Sequence, residues 1–229
     1  MDASSKTQTQ FAALPAQLRR WGSAAAALAC VLNGVWLACM IYLASLGDTA
    51  AQVRAHPGLF HLSLGSCVVL TLLQIPILLA LVATAFQRAP AASLIGGVVY
   101  ALYVPLNLIG YFSFGRLAPL VDTAATRQPM GISFLAQLIE IGGHLALTGM
   151  LPVLGYGVLG LAWCLLAPPL WQRGRLWRAA TMLLLTSGAL SIAGAAGAFL
   201  TIPWLSTGSM LGGVVSLPTL AVLALVFRD

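Results

Sequence analysis

Gln137, Glu140 and His144 stand three and then four residues apart inside an otherwise oily run, Gly131–Trp171. In a helix this spacing puts them on one stripe, and Thr148 extends it. No other acid and histidine in the chain lie so close together. A carboxylate and an imidazole one helical turn apart can hold a cation, exchange protons with a substrate or ion, or bind a polar head group. They can equally form a simple contact at a wet interface. An ionised carboxylate at mid-bilayer costs about 2.5–3.5 kcal/mol, so Glu140 must pair, protonate or face water. Adding His61, from a different segment, would give a metal set of His61, Glu140 and His144. No HExxH spacing supports that set, and two histidines and one carboxylate from distant segments form a loose pattern.

A second stripe consists of Tyr100, Tyr103, Asn107 and Tyr111, again at helical spacing. Aromatic walls with a few polar groups are the usual lining of a ligand site. The same residues would also serve as interhelical hydrogen bonding plus an interfacial tyrosine. Asn33 and Gln74 are single amides within apolar runs. They read as helix–helix contacts or, alternatively, as substrate contacts. Cys30, Cys39, Cys67 and Cys164 also lie within apolar runs and form no CxxC pair, so they read as small buried side chains. There is no GxSxG, P-loop or zinc-finger spacing. The single lysine, Lys6, lies outside every apolar run, which excludes an intramembrane Schiff base. No cofactor is expected apart from the metal alternative.

The elements that must position these residues follow from composition. The chain has 229 residues, 60% hydrophobic and 7% charged, with mean hydropathy +0.95. A soluble domain carries roughly a quarter charged residues, so lipid is the expected solvent. The net charge of +6 arises from eleven Lys and Arg against five acids. The basic residues sit between apolar runs, as orientation signals do, and form no face for nucleic acid. Residues 1–20 read as a polar cytoplasmic tail and 21–229 as one membrane domain. The expected fold is an all-α bundle of six transmembrane helices. Five of them are Trp21–Leu46, Leu59–Phe86, Ala91–Phe114, Ala179–Leu200 and Met210–Phe227; the fourth ends near Ala167. Pro76, Pro105, Pro152 and Pro218 should bend their helices. Gly115–Met130 is the longest expected loop.

The Gly131–Trp171 run would make a helix of about 60 Å, twice the hydrocarbon thickness of about 30 Å. It is either two crossings, or one crossing preceded by a segment at the outer surface. With one crossing, Lys6, Arg19, Arg20, Arg88, Arg173, Arg175, Arg178 and Arg228 share a side, and only Arg54, Arg116 and Arg127 oppose them. That split favours one crossing, with the outer boundary near Leu147 and both termini in the cytoplasm. Ser187, Ser191 and Ala195, with Gly188, Gly194 and Gly197 nearby, give the fifth helix a face for close packing, which could join two copies or another partner.

Three features, taken together, resemble a bacterial family of six-helix inner-membrane proteins defined only as a domain of unknown function. They are the basic start Leu18-Arg19-Arg20-Trp21-Gly22, the short outer loop before a long second helix, and the polar approach to the fourth. The resemblance spans about residues 16–227 and implies a multi-pass protein of the bacterial inner membrane. It implies no activity and no site residues. The residues themselves motivate binding or movement of a small molecule, lipid or ion through an outward-facing polar cleft between helices two, three and four. Its lining would be Gln137, Glu140, His144, Tyr103, Asn107, Tyr111, Gln74 and Asn33. The alternatives are a membrane-embedded metal-dependent hydrolase or transferase, and a structural partner in the membrane. Single cysteines placed in 172–178 should react with an impermeant thiol reagent only from the side that carries the N-terminus. Reaction from the opposite side would remove the single crossing.

Overall fold

The computed structural model describes residues 3–46, 52, 53, 55–125 and 147–228. These residues form α1 (Ala3–Ala44), α2 (Pro57–Phe86), α3 (Pro90–Ala125), α4 (Leu147–Leu166), α5 (Arg175–Phe199) and α6 (Gly208–Val226). A 3-10 stretch, Pro168–Arg173, joins α4 to α5, and one helical turn, Pro203–Ser206, precedes α6. Among the described residues there are no strands. Five helices are long and apolar enough to cross a membrane; the fourth apolar segment, Met150–Leu166, is shorter.

Prolines set several of the starts. Pro57 and Pro90 open α2 and α3, where the missing N–H would have had no partner. Pro76, Pro152 and Pro218 lie inside helices, as does Pro105. A bilayer tolerates them because neighbouring helices satisfy the freed backbone.

Two helix limits differ from expectation. Residues 3–20, read as a tail, are helical and continuous with α1, which runs through Pro15 without a break. Their Ala, Gln, Leu and Arg content favours helix, and polarity alone does not end one. Likewise α3 continues to Ala125, into the expected Gly115–Met130 loop. Within Gly131–Trp171, the described residues contain one long helix, starting at Leu147; residues 131–146 lie outside the description.

Helices adjacent in sequence pack side by side, and α6 closes onto α1. The six therefore form a ring of alternating direction. Across the ring, only α4 touches α2 and α6, and only lightly. Arg88 donates to the Pro169 carbonyl at 3.5 Å, and Trp177 packs edge-on to Phe227 at 5.9 Å. These contacts gather Arg19, Arg20, Arg88, Arg175, Arg178 and Arg228 at one end. At the other end the Tyr42 hydroxyl meets His56 Nε2 at 2.9 Å, and Phe60 packs on Phe114.

Small side chains line many helix contacts while large apolar ones cover much of the outside. Ala26, Ala29, Ala80, Ala162 and Ala180 are fully buried, while Val98, Phe199 and Trp204 are 65–75% exposed. An apolar belt of this kind is stable only in a lipid phase, and small residues inside let backbones approach. One such approach joins α4 to α5. A Cβ on Gly188 would stand 2.7 Å from the Gly160 carbonyl oxygen and 3.0 Å from Cys164 Sγ. Gly188→Ala should therefore lower stability by about 1–3 kcal/mol through overpacking. Gly58→Ala, where nothing lies within 4 Å, should not. Thermal unfolding of the two variants in the same micelle checks the difference.

Candidate functional site

The centre of the ring is a cavity of about 40 Å³ lined by all six helices. α1 contributes Asn33 and Trp36, and α2 contributes Gln74. Tyr103 comes from α3, Tyr156 and Trp163 from α4, Ser187 and Ser191 from α5, and Ser216 from α6. The polar groups are amides, hydroxyls and an indole. None of the lining residues is formally charged. A space of this size and polarity can hold water.

Hydrogen bonds fix how the lining groups point. The buried Tyr100 hydroxyl donates to Gln74 Oε1. That bond uses the acceptor of the Gln74 amide and leaves its N–H groups toward the cavity. Asn33 Nδ2 donates to the Gly213 carbonyl at 3.1 Å and to Ser216 Oγ at 2.7 Å. These bonds use the donors of Asn33 and leave Oδ1 as the acceptor. Ser187 Oγ donates to the Gly212 carbonyl at 2.9 Å, tying α5 to α6 beside the cavity.

Trp163 is the exception. It is 2% exposed, and its indole Nε1 has no hydrogen-bond partner. It lies by the Tyr100 hydroxyl, short of hydrogen-bonding geometry. A buried donor left unpaired costs about 1–3 kcal/mol. The chamber thus offers donors from Gln74 and an acceptor from Asn33, with the Trp163 ring in its wall.

A chain of tyrosines leads from the cavity toward the end opposite the arginines. The Tyr103 and Tyr156 rings pack at 6.1 Å, and the Tyr156 and Tyr111 hydroxyls share a hydrogen bond of 2.6 Å.

The residues expected from sequence divide three ways. Asn33, Gln74 and Tyr103 meet at the cavity, and Tyr111 reaches it through Tyr156. The two amides also bond across helices, as expected of helix–helix contacts. Asn107 does not reach the cavity. Its Nδ2 donates to the Tyr103 carbonyl at 3.3 Å, its side chain fills the space over Gly155, and its Oδ1 has no partner. His61 is exposed, with its ring against Phe60 at 5.8 Å. Gln137, Glu140 and His144 lie outside the described residues. Two members of the metal set are therefore not described; among the described residues no three His, Cys, Asp or Glu side chains cluster. Side chains of α1, α2 and α3 meet at the ring axis; the outer part of the expected cleft between helices two, three and four, with Gln137, Glu140 and His144, lies outside the described residues.

The expected site missed Trp36, Tyr156, Trp163 and Ser216, and gave Ser187 and Ser191 only a packing role. Tyr156 and Trp163 are seven residues apart in one oily helix, hence on one face. That spacing was the available signal.

Gln74→Leu should strand the Tyr100 hydroxyl and cost about 1–3 kcal/mol. In the Gln74→Leu, Tyr100→Phe double variant the loss should fall short of the sum by about 0.5–3 kcal/mol. Equilibrium unfolding of the four proteins measures the coupling, and additivity would show that the bond carries no energy. No protein-family model, curated protein sequence or solved structure matches the chain.

Proposed function

We propose that the protein binds a small, uncharged, hydrogen-bonding molecule at the centre of its ring and passes it across the bilayer. The observation that carries this reading is an uncharged polar chamber lined by all six helices, with the Gln74 N–H groups and Asn33 Oδ1 left for a guest. The donors of Gln74 and the acceptor of Asn33 match a guest that both accepts and donates, such as water, an amide or a short polyol. No lining charge is available to neutralise an ion, and an ion without a counter-charge or many ligands is costly in such a site.

In this reading all six helices cross the bacterial inner membrane. The arginine end lies in the cytoplasm, as the excess of basic residues there supports. The stripe of Gln137, Glu140 and His144 precedes α4 and serves as the outer approach to the chamber. A partner or second copy would use a face other than the small residues of α5. Gly188 is spent on α4, and Gly194, Ser187 and Ser191 on α6.

The test is flux in liposomes holding the purified protein, followed by light scattering after osmotic steps with water, urea and glycerol. At least one solute should move faster than in protein-free liposomes. Gln74→Met, which keeps the length but removes the donors, should slow that solute severalfold. Glu140→Gln and His144→Ala in the same assay test the outer approach. Permeability equal to protein-free liposomes for all three solutes would end this reading. So would a folded Gln74→Met protein with unchanged flux; the chamber would then be a structural water pocket.

A further inference from the structure

Between α1 and α2, at the arginine end, lies a notch of about 120 Å³ lined by Pro15, Arg19, Ala83, Thr84 and Gln87. We infer that this notch seats the phosphate of an anionic phospholipid, with Arg19 as its charged ligand. The inference is independent of the central chamber and of what passes through it.

Charge is the first argument. Arg19 is partly buried in the notch, and among the described residues it makes no hydrogen bond. Five further arginines gather at the same end. A guanidinium held in a partly dry notch favours an anion, and its planar fork matches two phosphate oxygens. Placement is the second. Gly22, one turn further along α1, packs directly on Ala80 of α2. That contact pins the two helices together and fixes the depth of the notch beside it.

The third argument decides between a lipid and a free anion. The notch residue Ala83 shares a stripe of α2 with Leu79 and Phe86, which are 44% and 45% exposed. A phosphodiester held at Arg19 could lay its acyl chains along that stripe. Inorganic phosphate would gain nothing from that surface. Basic residues at a membrane surface attract anionic lipid in general; here one of them sits in a formed notch.

Native mass spectrometry of the full chain tests this, titrated with phosphatidylglycerol or phosphatidylcholine of identical acyl chains. Phosphatidylglycerol should be retained at least fivefold better. Arg19→Gln should abolish that preference, Arg19→Lys should keep part of it, and Arg20→Gln, at an exposed position outside the notch, should leave it intact. A melting curve for each variant establishes that it is folded. Should Arg19→Gln not fold, loss of preference in folded Arg19→Lys replaces it, and full retention there counts against the fork. Equal retention of the two lipids would overturn the inference. So would equal effects of the Arg19 and Arg20 substitutions, or displacement of the lipid by millimolar inorganic phosphate.

Discussion

A ring of helices in lipid can satisfy a polar side chain only from within. Outside the ring there is no water to accept a hydrogen bond, so each buried amide or hydroxyl must turn toward the axis or bond to its own helix. The chain uses both solutions. Thr71, Thr84, Thr181 and Thr219 each donate to the carbonyl four residues back. Asn33, Gln74, Ser187 and Tyr100 bond across helices instead. The chamber is the place where that second group converges, and its uncharged character follows from the same cost.

Small residues then set how tightly the ring closes. Glycines bring α4 against α5 and α5 against α6 with backbone nearly touching. The aromatic side chains Trp36, Tyr103, Tyr156 and Trp163 point into the space left over. Close backbone contact on the α5 side and bulky rings on the other produce a chamber that is small but not filled. A ring packed with leucine throughout would hold no polar space at all.

Much of this was legible in the residues. The helical class follows from long apolar runs punctuated by proline and arginine, and the limits of α2, α5 and α6 fell within a few residues of expectation. Asn33, Gln74 and Tyr103 were marked because a polar side chain in an oily run is costly and therefore conspicuous. Trp163 and Tyr156 were not, because an aromatic in a membrane helix reads as apolar unless its N–H or O–H is known to lack a partner. The ring closure was also hidden. No local pattern tells that α6 will lie against α1; the matching of Ser23 to the Ala224 carbonyl at 2.6 Å is a property of the folded chain. The extension of α1 and α3 was missed for a simpler reason: charged and polar residues make good helix outside lipid as readily as loop.

Ring closure also imposes an order on how the protein is made. Asn33 finds its acceptors, Gly213 and Ser216, about 180 positions later in the chain. During synthesis α1 enters the membrane before α6 exists, so the Asn33 donors meet their acceptors only once α6 packs against α1. Any change that keeps α6 off α1 would leave an open ring, with that amide bare in an apolar phase.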